Sequence, residues 1–303
     1  MAIYHYDNPS KRLKIVGVTG TNGKTTTATL LYKIALELGY KTGLVGTIEN
    51  LINGEKFEIK SNNPKPGTTP DSVMLTKIFS EMVERGCEYV FIEVSSHAID
   101  QNRVRGINFT GGIFSNLTHD HLDYHKNIEA YFEVKKKFFK MLSADAFALS
   151  NTDDEHGKKI LEGIKAKGFS YGFNGGENFH GEIKKSDFNG LELEFDKTSI
   201  KSKLLGKFNA YNLLSVWSAC NLLSFDMSKV NKILENIKPP RGRFEHFTSS
   251  SGVLVIVDYA HTPDALEKVL STTREIKSKE SRLIAVFGCG GDRDPLKRSK
   301  MGR

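Results

Sequence analysis

Apolar residues along this chain fall into two patterns that alternate, short continuous runs and stretches spaced by three and four. Ile15, Val16 and Val18 make a short run, and Ala28, Leu31, Ile34, Ala35 and Leu38 follow at helical spacing, so a strand is predicted to feed a helix. Thr42 to Ile48 reads as a second strand, Asn62 to Pro70 as a loop rich in Pro, Gly and Asn, and Val73 to Arg85 as a helix closed by Gly86. Tyr89 to Val94, YVFIEV, is nearly all apolar, as a parallel strand buried on both faces would be. Further strands are predicted at Gly112 to Leu117 and near Ala146 to Leu149, with helices between. Strands alternating with helices imply a doubly wound, mostly parallel α/β sheet, which places ligands at the carboxyl ends of its strands.

From Phe179 to Leu205 the pattern changes to period two, as in LELEF, and predicts a small antiparallel excursion. Asn209 to Leu223 is helical again. Pro239-Pro240, followed by Arg241-Gly242-Arg243, is the best candidate boundary, dividing the chain into units 1–238 and 239–303. The second unit reads as strand Val253 to Val257, helix Pro263 to Ile276, strand Leu283 to Phe287 and the loop GCGGDRD. About sixty residues with two strands are too few to close an α/β core, so this unit is expected to be an incomplete domain and loosely ordered.

The first strand-to-helix junction carries the clearest chemistry. IVGVTGTNGKTTT breaks from an apolar run into a Gly-rich turn ending in Lys24-Thr25, the context of a phosphate-binding loop. Gly20 and Gly23 allow backbone N–H groups to converge on phosphate oxygens, with Thr21, Asn22 and Thr26 on the same turn. Lys24 would neutralise the terminal phosphates, and the Thr25 hydroxyl can ligate Mg²⁺. The common G-x-x-x-x-G-K-[ST] pattern asks for Gly where Val18 stands, and a Gly-rich turn with an incidental lysine is the competing reading.

Composition narrows the class without naming it. The chain has 303 residues, 39% hydrophobic and 26% charged, which permits two domains and a sizeable core. The polar opening residues and the lack of any long apolar segment argue against export and membrane insertion, so a cytoplasmic location is expected. Cys87, Cys220 and Cys289 are far apart, which fits a reduced protein better than a disulfide scaffold or a zinc module, and Cys289 in GCGG reads as a small loop residue before a nucleophile. A net charge of +7 could suit nucleic acid, but the lysines are scattered with no aromatic-basic platform, and a polyanionic small substrate explains the sign equally well.

Three further clusters are candidates. Glu93 ends the apolar strand, where a nucleotide-bound Mg²⁺ wants an oxygen ligand, although a carboxylate bonded to backbone donors would look the same. NLTHDHLDYH, Asn116 to His125, holds three histidines and two aspartates without a usual zinc spacing; of the histidines, His121 is expected to touch metal. On the helix following Asn127, its predicted N-cap, Lys135 shares the stripe of Tyr131, Val134, Phe138 and Leu142, while Lys136 and Lys137 turn away. A lysine held in an apolar site loses basicity, and its neutral amine can take up CO₂ as a carbamate, an acidic metal ligand. A helix-stripe lysine more commonly snorkels or pairs with a carboxylate.

VTGTNGKTTT, GTTP, EVSSHAIDQNRV, NLTHDHLDYHKNIEAYFEVK, GKFNAYNLL, RGRFE, VDYAHTPDAL and FGCGGDRD together resemble the Mur ligases in order and spacing, from Lys14 to the end. The likeness is greatest to the branch that makes the muramoyl tripeptide. It implies a P-loop central domain followed by the start of a Rossmann-like C-terminal domain. The implied activity is an ATP-dependent amide ligase that adds a free amino acid to a UDP-muramoyl-dipeptide through an acyl phosphate, in peptidoglycan biosynthesis. Residue by residue, the resemblance makes Lys24 the phosphate clamp, Thr25 and Glu93 ligands of one Mg²⁺, and His121 with Lys135 as N6-carboxylysine the support of a second. It places Asn209 and Asn212 by the adenine and Arg243 and Asp258 by the γ-phosphate and ribose. Thr68, Thr69, Ser95, Gln101 and Arg103 would hold the muramoyl-dipeptide, and Arg298 would meet the incoming amino acid. The expected partners are these substrates, with no nucleic acid or membrane, and the expected state is a monomer. The family's uridine-gripping N-terminal domain and most of its C-terminal domain, with the motif selecting the amino acid, have no counterpart here, so this polypeptide alone is expected to be inactive. Cyanophycin or folylpolyglutamate synthetase chemistry, or a nucleotide-binding remnant without ligase activity, are the alternatives.

Overall fold

The computed structural model describes residues 6–57, 67–278, 280–289 and 296–302. β1 (Lys14–Thr19) runs into α1 (Lys24–Glu37), then β2 (Thr42–Val45), β3 (Asn50–Ile52) and β4 (Glu55–Lys56). α2 (Ser72–Glu84) leads to β5 (Tyr89–Glu93), α3 (Ser96–Asp100), β6 (Phe109–Phe114), α4 (Leu122–His125) and α5 (Ile128–Lys140). β7 (Phe147–Asn151), α6 (Gly157–Ile160) and β8 (Lys167–Gly172) follow, then β9 (Phe179–Asp187), β10 (Gly190–Phe195), β11 (Thr198–Ser202), α7 (Lys207–Leu222) and α8 (Met227–Asn236). These strands form one 11-stranded sheet in the order β11-β10-β9-β8-β7-β6-β1-β5-β2-β3-β4.

The run from β2 to β9 is parallel, and antiparallel pairs close each end, at β2-β3-β4 and at β9-β10-β11. Two apolar layers cover the two faces, one built around α1 and α7 and the other around α2 and α5, as a doubly wound sheet requires. β1 lies between β5 and β6, and the chain crosses over it to get from one to the other, so a crevice opens at their carboxyl ends.

Helix α5 forms as its stripe predicts, with Asn127 accepting the Ala130 N–H at 2.8 Å as its N-cap. Tyr131, Val134, Phe138 and Leu142 are buried, and so is Lys135. Phe138 is fully buried and meets Phe109 edge-on at a centroid distance of 5.0 Å. Phe138→Ala is expected to cost about 3–5 kcal/mol, read as a lower urea midpoint at unchanged slope.

Three strand expectations need correction. β2 stops at Val45 rather than Ile48, because the Thr47 N–H is taken by the Glu93 carboxylate instead of by a ladder. β6 starts at Phe109 and ends at Phe114, and residues 115–118 leave the sheet to bond the loop after β1. The strand expected at Leu283 to Phe287 is not formed: 281–289 has no regular structure, and Val286 is 96% exposed. Strand preference expresses packing on a paired neighbour, and among the described residues no strand pairs with this segment. The hairpin of β12 (Glu245–Thr248) and β13 (Leu254–Val257) forms a separate sheet, next to α9 (Pro263–Ile276), and α10 (Leu296–Met301) follows. The predicted loops fall partly outside the described residues, at 62–66 and 290–294.

Candidate active site

The loop after β1 is held by the end of β6. Thr21 N donates to Asn116 O at 2.8 Å, Asn22 N to the Asn116 side chain at 2.9 Å, and the Ser115 hydroxyl to Asn22 O at 2.6 Å. Gly20 has φ 146° and Gly23 φ 88°, and a Cβ on Gly20 would lie 2.0 Å from Ser115 Oγ and one on Gly23 2.6 Å from Asn212 Oδ1. These two glycines are therefore required by both backbone and space. Val18, where the common pattern has its first glycine, is a fully buried residue of β1, so the turn simply begins later.

Three basic side chains converge on this loop. Lys24 Nζ donates to Gly20 O at 2.8 Å and Thr21 O at 2.7 Å, and Lys135 Nζ reaches the same Gly20 O at 3.0 Å. Arg243, from the segment before β12, donates to Thr25 Oγ1 at 3.2 Å while its guanidinium lies over the Tyr259 ring at 4.8 Å. Its Nε is buried without a hydrogen-bond partner. Burial lowers the Lys24 pKa, and burial followed by repulsion from Lys24 holds that of Lys135 well below the usual lysine value. Lys24 and Arg243 at a helix N-terminus, with the loop N–H groups, make an anion site.

Burying Lys135 should therefore cost stability, fully below its lowered native pKa and progressively less across the window in which the unfolded chain holds a proton that the native one does not. That window opens below the ordinary lysine value of 10.5 and runs down to the lowered native one, and within it stability rises with pH. In CO₂-free buffer, Lys135→Met is expected to be more stable than the parent at pH 7 by on the order of 1–3 kcal/mol, with the gain shrinking as pH rises toward 10. Urea unfolding across pH measures it.

Glu93 is 1% exposed at the end of β5. Its Oε2 accepts from Thr25 Oγ1 at 2.8 Å and Thr47 Oγ1 at 3.0 Å, and its Oε1 from Thr47 N at 2.7 Å. Mg²⁺ is commonly held by one or two carboxylates together with substrate phosphates, and the Thr25–Glu93 pair supplies hard oxygens at the place where phosphates would lie. Among the described residues no group of three or more His, Cys, Asp and Glu is arranged to hold a metal by itself.

The residues expected at the dipeptide are gathered beside Glu93. Thr69 Oγ1 donates to Glu93 O at 2.7 Å, Ser95 N to Thr69 Oγ1 at 3.0 Å, and Arg103 to Thr69 O at 2.8 Å. Gln101 accepts from Arg103 Nε at 3.0 Å, and Thr68 meets Thr47 at 3.2 Å. His121 sits with φ 54° at the start of α4, its ring edge-on to His97 at 5.1 Å and Tyr131 at 6.2 Å. Chiefly by burial its pKa is lowered, against the nearby Asp120. Lys135 Nζ lies 4.4 Å from the centroid of the same Tyr131 ring, so both residues neighbour Tyr131.

Asn209 and Asn212 are buried on α7, and their amides serve the protein: Asn209 donates to Leu205 O at 2.8 Å and accepts from Asn212 at 3.0 Å. Asp258 accepts from Phe244 N and Ala260 N, both at 2.8 Å, and so holds the turn behind Arg243; its pKa is raised by burial. Arg298 is exposed on α10, which packs on α9. Sequence reasoning missed Thr47, the contact of Tyr131 with both His121 and Lys135, and Tyr259 under Arg243. Only a Gly-Thr at the end of a strand could have hinted at Thr47.

Residues 18–220 match the family model described as Mur ligase middle domain, and residues 242–303 that of the Mur ligase, glutamate ligase domain. A UDP-N-acetylmuramoyl-L-alanyl-D-glutamate–2,6-diaminopimelate ligase of Cytophaga hutchinsonii is 47% identical, over 98% of this chain and 60% of its own length. A solved structure of an enzyme with that name is 30% identical, covers 100% of this chain and 62% of that one, with a TM-score of 0.78. A folylpolyglutamate synthase from Thermotoga maritima is 15% identical with a TM-score of 0.70, over 91% of this chain and 70% of that one, which shows a shared fold alone. The chain thus spans about three fifths of the length of the curated relatives it matches. No helix among the described residues is long and apolar enough to cross a membrane.

Proposed function

This chain belongs to the Mur ligase family, and from that membership and the site's geometry we propose that it is the catalytic part of an ATP-dependent ligase. It joins an amino acid to UDP-N-acetylmuramoyl-L-alanyl-D-glutamate in peptidoglycan synthesis, in the cytoplasm. The observation that carries this is the convergence of Lys24, Lys135 and Arg243 on a phosphate-binding loop whose first helical turn meets Glu93. The names of the relatives support 2,6-diaminopimelate as the amino acid. The proposed units are 1–238 and 239–303, supported by the separate second sheet and by the gap between the two matched family models.

In the proposed reaction a carboxylate of the dipeptide attacks the γ-phosphorus of ATP and ADP leaves. The amine then attacks the acyl carbon, loses a proton and expels inorganic phosphate. Lys24 and the loop N–H groups hold the phosphates, Arg243 closes on the γ-phosphate, and Thr21, Asn22 and Thr26 shape the loop. Asn209 and Asn212 form the adenine side, and Asp258 acts through the Arg243 turn. Thr68, Thr69, Ser95, Gln101 and Arg103 orient the dipeptide, and Arg298 meets the amino acid. Thr25 with Glu93 would hold one Mg²⁺, and His121 with Lys135 as N6-carboxylysine a second. Cations held there would supply neutralisation of the negative charge that nucleotide and carboxylate bring together. The neutral Lys135 amine that burial favours is the form that reacts with CO₂.

The test is to incubate this sequence, joined to the family's flanking domains, with ATP, Mg²⁺, the UDP-muramoyl-dipeptide and either 2,6-diaminopimelate or lysine, and to look for ADP, phosphate and the tripeptide by mass. Turnover with lysine but not diaminopimelate would overturn the amino-acid assignment, and no product with either would overturn the ligase reading.

A further inference from the structure

A carboxylate end group turns easily about its last torsion, so a carboxylate that must face a metal needs something to stop it. In this chain the turn between β2 and β3 does so. Thr47 reaches both Glu93 oxygens at once, its N–H to Oε1 at 2.7 Å and its hydroxyl to Oε2 at 3.0 Å. The preceding residue makes room: a Cβ on Gly46 would lie 2.7 Å from Glu93 Oε1. The same Thr47 hydroxyl lies 3.2 Å from Thr68 Oγ1.

A hydroxyl has one proton and a carboxylate only accepts, so the directions are fixed. Thr47 gives its proton to Glu93 and receives that of Thr68. We infer that Thr47 is a positioning residue that aims the Glu93 carboxylate at the cation beside Thr25 and ties that aim to Thr68 on the dipeptide side. The inference rests on the ligase reading and goes beyond it by giving a role to a turn outside the phosphate loop. Thr47 is itself exposed, so removing its hydroxyl strands no buried group on Thr47, and Glu93 Oε2 keeps Thr25. A fold effect and an aiming effect can therefore be separated.

The experiment is calorimetric binding of a non-hydrolysable ATP analogue to the 303-residue chain at graded Mg²⁺ and in EDTA, with thermal melts, for the parent, Thr47→Val, Thr47→Ser and Gly46→Ala. Losing a hydrogen bond to a charged group should raise the Mg²⁺ needed for half-maximal binding roughly tenfold in Thr47→Val. Binding in EDTA and the melting temperature should stay at parental values, and Thr47→Ser should fall within about twofold of the parent because it keeps the hydroxyl. Gly46→Ala should show the same Mg²⁺-selective weakening. A parental Mg²⁺ dependence in Thr47→Val, or a loss of equal size with and without Mg²⁺, would overturn the positioning role alone. If the parent chain binds no analogue at any Mg²⁺, the ligase reading falls and this inference with it.

Discussion

Lys24→Ala, in a version that carries the family's flanking domains, is expected to lose ATP turnover almost completely, with kcat down by roughly 10³-fold or more, as when a cation on the transferred phosphoryl group is removed. Its ammonium now caps the carbonyls of Gly20 and Thr21 at 2.8 and 2.7 Å, the position from which it can swing to a phosphate bound in the turn. Neighbouring cations do not replace it: Arg243 is engaged with Thr25 and Tyr259, and Lys135 is buried behind the loop. Ligation and ADP release, measured together, should fall in parallel while the melting temperature stays near the parental value. Turnover at the parental rate would exclude the phosphate role of this loop.

Lys135→Ala is expected to lower activity by roughly 10²-fold or more, the scale of losing a group that stabilises transition-state charge. Lys136→Ala and Lys137→Ala should be mild. The three lysines are adjacent, yet Lys135 is 1% exposed, Lys136 lies 5.6 Å over the Phe132 ring, and Lys137 faces solvent near Asp100 at 3.9 Å. If the active form is the carbamate, short carboxylates added to Lys135→Ala should restore part of the rate by supplying the missing oxygens. Rescue by no carboxylate, or equal sensitivity at all three positions, would count against carbamylation. The expected gain in stability of Lys135→Met separates this loss from unfolding, since a residue that costs the fold and is needed by the reaction is kept for function.

The sequence alone determined most of the architecture and the loop. Continuous apolar runs such as YVFIEV and helical spacing are local signals, and they led to the parallel core, α5 and its inward lysine without knowledge of neighbours. The Lys24-Thr25 junction was legible for the same reason, because a strand, a Gly turn and a helix are consecutive in the chain. Tertiary structure decided what depends on residues far apart in sequence. Thr47 and Glu93 are 46 positions apart and meet because β2 pairs with β5, and Arg243 reaches Thr25 across 218 positions. Strand pairing also decided the failures: YVFIEV is flanked by β1 and β2 and is buried, whereas the equally apolar stretch Leu283 to Phe287 stays out of any sheet. An apolar run states what a segment can bury, but a strand exists only where a second backbone completes its hydrogen bonds, and that information lies elsewhere in the fold.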